Sequence, residues 1–394
     1  MSLPRGFKFS GVACGIKPSG SQDLAIISTD EPCVAAGVYT QNVVRASSID
    51  WNRQITPSDS FRAVVINSGN ANACTGQKGI DDNQQIAVHT AQKIGATPQQ
   101  VMVLSTGVIG HLLPMDKIES GIDQASAQLS DTQASFDAAA NSILTTDQGP
   151  KTNHRPLEIN GSEIQISGMA KGAGMIGPNM ATMLALVMTD AKIDSATAQS
   201  ALATAAKYSF NRISVEGHTS TNDALLLICS GSSGTEISTE PDIESFTSAL
   251  TESCIDLAKR IPSDGEGASH LVTIKISGAA SDDEADRAAR TIAASALVKT
   301  AVTGADPNWG RIVSAAGYSG VAMDVDQSKL EINGHCLFDQ GQPIAFDETS
   351  VSHSIKDNFE TEIDLRIGLG PGSATHWTSD LTVQYVRFNS EYTS

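Results

Sequence analysis

Hydrophobic positions recur along the chain with two different periods. Short apolar or alternating runs bounded by Gly, Pro and Ser predict strands, because side chains alternate between the two faces of a strand. These runs lie at 7–12, 24–28, 33–39, 61–67, 101–104, 183–188, 224–229 and 271–276. Apolar residues at helical spacing predict single helices at 80–94, 196–208, 243–260 and 283–297, and two more helices within 115–144.

Strands dominate the pattern after residue 299. They are predicted at 320–324, 330–332, 362–367 and 381–388. Asn-Gly pairs at Asn160 and Asn333 predict tight hairpin turns. Hairpins and helical crossovers together predict an α/β fold of the mixed α+β kind, and the Gly-, Ala-, Ser- and Asp-rich run at 278–283 is the candidate boundary before the last part.

Charge and cysteine content narrow the function class. The 394 residues carry a formal net charge of −18, so nucleic acid and anionic membranes are not expected partners. The six cysteines form no C-x-x-C pair and the histidines form no zinc motif, which predicts no metal site and fits a reducing compartment. Without an apolar leader or an apolar run of about 18 residues, the expected location is the cytoplasm.

The segment from Lys171 to Leu184 reads K-G-A-G-M-I-G-P-N-M-A-T-M-L. Its glycines can hold backbone conformations that other residues avoid, and the loop leads directly to Thr182. If Thr182 attacks the preceding carbonyl, the chain breaks between Ala181 and Thr182. The freed α-amine then lies beside the threonine hydroxyl as its own base. On composition alone, a turn followed by a strand is the more common interpretation.

Two other segments have features suited to acyl transfer. Ser105-Thr106-Gly107 ends a predicted strand with a hydroxyl and an unobstructed backbone N–H. Such donors can stabilise an oxyanion, and one donor changes the rate by ~10²–10³. Glu266 lies in D-G-E-G-A, where a carboxylate between glycines can bind an ammonium group. Taken singly, a strand-to-loop turn and an acidic turn explain these segments equally well.

Together these segments resemble the glutamate N-acetyltransferase (ornithine acetyltransferase) family of arginine biosynthesis. The matches include N-S-G-N-A-N-A-C-T-G at 67–76, S-T-N-D at 220–223 and G-A-D-P-N-W-G-R at 304–311. The motifs keep the family's order and span residues 11 to 394, so the resemblance covers essentially the whole chain. Two departures are small: E-G-H at 216–218 replaces an acidic pair, and Ser394 replaces a final threonine.

The resemblance implies a set of roles. It implies self-cleavage between Ala181 and Thr182, with Thr182 as the nucleophile, and an oxyanion hole formed by Thr106 and Gly107. The substrate contacts that it implies are Thr145, Lys171, Thr182, Glu266, Asn389 and Ser394. The implied reaction moves acetyl from N-acetyl-L-ornithine to Thr182 and then to L-glutamate. No cofactor is implied; acetyl-CoA would be a second donor in the family's bifunctional form.

The resemblance also implies an architecture of the N-terminal-nucleophile type with a smaller, strand-rich C-terminal lobe. Residues 1–181 would form an α chain, residues 182–278 would complete the catalytic domain, and residues 279–394 would form the smaller domain. The cut chains would assemble as α2β2. Three alternatives remain open: an N-terminal-nucleophile aminopeptidase or amidase of similar fold, the bifunctional form that also accepts acetyl from acetyl-CoA, and a non-catalytic binding protein with an uncut loop. No motif separates the bifunctional form from the monofunctional one.

Overall fold

The computed structural model describes residues 2–177 and 183–391. The strands are β1 Phe7–Val12, β2 Leu24–Tyr39, β3 Ser58–Asn70, β4 Val101–Val108, β5 Lys151–Ile159, β6 Ser162–Lys171, β7 Leu184–Thr189, β8 Ile213–Ser214, β9 Ala224–Cys229, β10 Leu271–Ala279, β11 Lys329–Ile332, β12 His335–Asp339, β13 Gln342–Pro343, β14 Glu360–Arg366 and β15 Gly372–Ser379. The α-helices are α1 Ser47–Ile55, α2 Gly76–Ile94, α3 Met115–Ala127, α4 Gln133–Ser142, α5 Ser195–Tyr208, α6 Glu240–Ser263, α7 Asp282–Ala294, α8 Ala296–Thr303, α9 Trp309–Gly317, α10 Glu348–Lys356 and α11 Val383–Glu391.

The first sheet has the strand order β4-β3-β2-β9-β7-β6-β5, and β1 pairs with β2. Successive side chains of a strand point to opposite faces of the sheet, and helices cover both faces. Val64 and Ile66 of β3 pack in the cluster that contains Phe136 of α4. Val65, between them, packs with α2 and α3 on the other face. Strands β6, β7 and β9 pack with α5 and α6.

The second sheet has the order β13-β12-β11-β14-β10-β15-β8 and packs with helices α7 to α10. Strand β10 lies between β14, which is parallel to it, and β15, which is antiparallel. The two sheets with their helices confirm the predicted mixed α/β class and the strand-rich C-terminal part. The division into residues 182–278 and 279–394 stays a prediction. Strand β10 of the second sheet runs through residue 278, and β8, also of the second sheet, comes before β9 of the first sheet in the chain.

The two Asn-Gly turns are confirmed as hairpins. Ile159 pairs with Ser162 across the first turn, and Ile332 pairs with His335 across the second. In both turns the Asn and the following Gly have positive φ angles, which Asn and Gly adopt more readily than other residues.

Three predictions of secondary structure are wrong. Residues 320–324 form no regular strand. The helix predicted at 283–297 is broken at Ser295, whose hydroxyl accepts the Val298 N–H and starts α8. The strand predicted at 381–388 is helix α11, because Thr382 Oγ1 accepts the Tyr385 N–H at 3.1 Å and caps the first turn. Its apolar residues Val383 and Val386 are exposed rather than packed in a sheet.

Candidate active site

Six of the predicted site residues line one pocket. The residues are Thr106 and Gly107 near the end of β4, Thr145 after α4, Lys171 at the end of β6, Glu266 after α6 and Asn389 in α11. They come from distant parts of the chain and both described segments contribute. The fold therefore brings together the residues that the sequence motifs had singled out.

The remaining predicted positions, Ala181, Thr182 and Ser394, lie outside the described residues. The chain around the first two is nevertheless constrained on both sides. Lys171 and Leu184 are paired across the antiparallel strands β6 and β7. The segment that holds the predicted cleavage bond therefore connects two neighbouring strands and starts at a residue that lines the pocket.

Gly107 requires the absence of a side chain. Its φ angle is +134°, and an added Cβ would overlap the backbone of Gly69 on β3. Next to it, Thr106 is buried, and its Oγ1 lies 3.3 Å from Lys171 Nζ, which donates a hydrogen bond to it. The close approach of β3 and β4 thus fixes the predicted oxyanion donors beside a buried lysine.

Glu266 is held by residues from both sides of the pocket. Thr146 Oγ1 donates to its Oε1 at 2.7 Å, and Asn389 Nδ2 donates to its Oε2 at 3.1 Å. A Cβ on Gly174 would overlap the Glu266 carboxylate, so any side chain at this position would force that carboxylate to shift. Thr146 was missed by sequence reasoning, although it adjoins the predicted contact Thr145.

Asp147, also missed, connects three segments of the site. Its Oδ1 accepts the Gly172 N–H at 2.6 Å and Lys151 Nζ at 2.7 Å, and its Oδ2 accepts the Thr145 N–H at 3.0 Å. Burial acts to raise the pKa of this carboxyl, but the nearby Lys171 and Lys151 ammonium groups outweigh it and hold the pKa well below its usual range. Asp147 is therefore a buried carboxylate. Its position directly after the T-T pair was the available signal.

Lys151 extends the network toward Glu266. Its Nζ also donates to Asp264 Oδ2 at 2.6 Å, and Asp264 accepts the Gln148 N–H at 3.0 Å. Because Asp264 lies two residues before Glu266, this ion pair ties the acidic turn to the loop of Thr145. The buried Lys151 ammonium therefore has a carboxylate on each side, Asp147 and Asp264, which compensates the cost of burying its charge.

Three residues of the S-T-N-D segment, Ser220, Thr221 and Asn222, also line the pocket. Asn222 Nδ2 donates to the Ala71 and Ser105 carbonyls, both at 2.7 Å. Asp223 Oδ1 accepts the N–H of Met183, the residue that follows Thr182, at 3.1 Å. Burial raises the pKa of Asp223 well above its usual value. This motif therefore anchors both the Thr106 strand and the chain just beyond the predicted cleavage bond.

Across residues 2–177 and 183–391, no group of three His, Cys, Asp or Glu side chains is arranged to hold a metal ion. In the same part of the chain, no helix is both long enough and apolar enough to cross a bilayer. The cysteines there are all free thiols, and Cys229 is buried.

The pocket has the chemistry to bind an amino acid and stabilise an acyl-transfer intermediate. The Glu266 carboxylate can bind an ammonium group, and the Lys171 ammonium can bind a carboxylate. The Thr106 hydroxyl and the Gly107 N–H are the two donors predicted to face a developing oxyanion. These roles stay predictions; the structure brings the groups into one pocket.

Comparisons with known proteins identify the family of this chain. The ArgJ family model matches residues 8–394. The arginine biosynthesis bifunctional protein ArgJ of Rhodopirellula baltica is 48% identical over 395 residues, covering 100% of this chain and 96% of that protein.

Two solved structures also match. That of the arginine biosynthesis bifunctional protein ArgJ from Bacillus halodurans is 41% identical, with a TM-score of 0.51, and the match covers 52% of this chain and 98% of that chain. Ornithine acetyltransferase from Mycobacterium tuberculosis, solved with ornithine, is 35% identical over 46% of this chain and 94% of that chain, with a TM-score of 0.41. The family match spans nearly the whole sequence, and the chain belongs to the ArgJ family.

Proposed function

We propose that this protein transfers acetyl from N-acetyl-L-ornithine to L-glutamate through an acetyl ester on Thr182. The observation that carries the proposal is the pocket itself, which collects Thr106, Gly107, Lys171 and Glu266 with Thr145 and Asn389. Relatives named arginine biosynthesis bifunctional protein ArgJ support the same pathway.

The reaction has two steps. Thr182 Oγ attacks the acetyl carbonyl, its proton passes to the Thr182 α-amine, and the C–N bond to ornithine breaks as that proton reaches the leaving nitrogen. L-Ornithine leaves and an acetyl ester remains. The amine of glutamate then attacks the ester, the C–O bond breaks, and Thr182 regains its hydroxyl hydrogen. One amide replaces another, so no energy-rich donor is needed.

The free α-amine requires a cut before Thr182. A cut there leaves 213 of the 394 residues, about 54%, in the C-terminal fragment. The matched Bacillus halodurans chain is 98% covered by only 52% of this chain, which supports a mature protein made of two chains of about half length. We infer that this chain is likewise cut between Ala181 and Thr182.

Four further points belong to the proposal. The cut chains pair as α2β2, the enzyme works in the cytoplasm, and it needs no cofactor. As in the family's bifunctional form, acetyl-CoA serves as a second acetyl donor to glutamate. An assay with acetyl-CoA and glutamate as the sole substrates tests the last point, since formation of N-acetylglutamate requires that donor.

The first test is a denaturing intact-mass spectrum of the purified protein beside Thr182→Ala and Thr182→Ser. Two species whose masses sum to that of the 41.1 kDa precursor plus one water are expected, because the cut consumes a water molecule; the Thr182→Ala chain should stay uncut and the Thr182→Ser chain should be cut. Each preparation is then supplied with N-acetylornithine and glutamate. A single uncut species that still exchanges acetyl would refute the mechanism. Release of acetate or free amino acids without N-acetylglutamate would favour the amidase alternative.

A further inference from the structure

The ammonium of Lys171 determines how the Thr106 hydroxyl is oriented. A lysine ammonium has three donors and no acceptor, so the 3.3 Å contact to Thr106 Oγ1 must run from Lys171 to Thr106. The threonine then keeps its own O–H hydrogen for another acceptor. A neutral lysine amine could accept that hydrogen instead and withdraw it from the pocket. The charge of Lys171 therefore decides whether Thr106 can donate to an oxyanion.

Burial works against that charge. Lys171 is 2% exposed, and desolvation lowers its pKa although neighbouring carboxylates raise it. The charged groups that act on it are Asp147, Lys151, Asp223, Glu266 and Lys17. Only the carboxylates among them can keep the ammonium protonated.

Asp147 is the carboxylate best placed for this task. It bonds the N–H of Gly172, the residue that follows Lys171, and two further donors hold it in position. The Glu266 carboxylate instead accepts hydrogen bonds from Thr146 and Asn389, and it lines the pocket proposed to bind the substrate. Asp223 is buried with a raised pKa, which favours its neutral form.

We propose that Asp147 is a positioning residue that keeps Lys171 an ammonium, so that the Thr106 hydroxyl remains a donor to the oxyanion. Asp147 does not touch the substrate and acts through Lys171. It also ties the loop of Thr145 to the start of the glycine-rich loop. The inference rests on the proposed acetyl transfer, and the wild-type exchange rate tests that function separately.

The experiment measures kcat and KM for acetylornithine–glutamate exchange against pH in the wild type, Asp147→Asn and the control Asp264→Asn. Asp264 is a carboxylate of the same network that bonds Lys151 and Gln148. Removing the charge of Asp147 lowers the Lys171 pKa, so the alkaline limb of kcat moves to lower pH by about 1 unit or more. We expect kcat at the optimum to fall by about tenfold. Asp264→Asn keeps the wild-type limb.

Two results overturn the inference. One is an Asp147→Asn enzyme with reduced kcat but an unmoved alkaline limb, which would make its role structural. The second result comes from the Lys171→Arg variant, which tests the inference even if the Asp147→Asn chain fails to fold or to be cut. Because an arginine stays charged across the pH range, the alkaline limb should vanish, and its persistence would show that Lys171 is not its source. If the wild type itself does not exchange acetyl, the proposed function fails instead.

Discussion

Two of the buried lysines, Lys171 and Lys299, lie in contrasting surroundings. Lys171 lines the pocket and is 2% exposed; Lys299, in α8, is 6% exposed and packs against the end of the second sheet formed by β15 and β8. Burial lowers the pKa of both, and that of Lys299 falls to about 8. Lys299 Nζ donates to the Val215 carbonyl and, at 3.1 Å, to Thr378 Oγ1.

The difference lies in what surrounds each ammonium. Lys299 connects α8 to the segment after β8 and to β15, and it does not line the pocket that contains Lys171. Carboxylates act on both ammonium groups, but Lys171 also has open pocket beside it. Burial and a lowered pKa are therefore not enough to identify a functional lysine; an adjacent space that a ligand can enter separates the two cases.

The sharpest test of this comparison exchanges each lysine for methionine. Lys171→Met removes the group that orients Thr106 and is expected to reduce acetylornithine–glutamate exchange by ~10²–10³. Lys299→Met is expected to stay within about threefold of the wild-type rate, because α8 makes no contact with the pocket residues through this side chain. Steady-state kinetics on cut enzyme measures both. Equal losses in the two variants would remove the distinction.

Lys299 is expected to matter for folding stability rather than for activity. Lys299→Met leaves the buried Val215 carbonyl without its charged donor, so we expect the free energy of unfolding to fall by about 1–3 kcal/mol. Lys192→Met, which changes an exposed lysine, is the control and should shift it by less than about 0.5 kcal/mol. Urea denaturation followed by circular dichroism measures the difference. An unchanged midpoint for Lys299→Met would contradict the structural role.

A third test concerns the space beside Lys171. In Gly174→Ala the new methyl group overlaps the Glu266 carboxylate, so substrate binding should weaken and KM should rise by about tenfold. Gly149→Ala is the matched control, because nothing lies within 4 Å of a Cβ at that position. Kinetic titration with N-acetylornithine checks the pair. A normal KM in Gly174→Ala would mean that Glu266 does not shape the substrate site.

The smallest effect is expected on the pH dependence of folding stability, through His376 near Lys299. His376 is fully buried, and burial, with Arg290, Arg212 and Lys299 nearby, lowers its pKa to about 3. The unfolded chain therefore binds a proton at His376 below about pH 6.5 that the folded chain does not, and folded-state stability falls as the pH decreases. Between pH 7 and 5.5 this costs about 1 kcal/mol. His376→Asn should lose correspondingly less stability over that range, and denaturation at both pH values tests this.

Sequence patterns predicted some elements to the residue. Strands 7–12 and 224–229 have the predicted bounds, since each is a short apolar run ended by turn-forming residues. The family motifs also selected six residues that the fold brings into one pocket. In both cases the information is local, or is carried by a long and rare motif.

What the sequence did not reveal depends on distant contacts. Asp147 looked like one acidic residue among 44 acidic residues, and its role appears only when Gly172 and Lys151 approach it. Helix α11 was mistaken for a strand because apolar residues recur along it; a cap at Thr382, which also bonds the Gly267 carbonyl, decided otherwise. Such pairings cannot be derived from periodicity, because the partners lie far apart in the chain.

The strand order of the first sheet has a consequence for the mature enzyme. Strands β9 and β7, which follow the proposed cut, lie between β2 and β6, which precede it. After cleavage, strands of the two fragments would still alternate within one hydrogen-bonded sheet, so the fragments would not be two separately folded halves that dock. Pulling them apart would open two internal ladders and expose unpaired strand edges that favour aggregation. Neither fragment made alone could complete the sheet, so the intact precursor is the form in which this architecture has to be assembled.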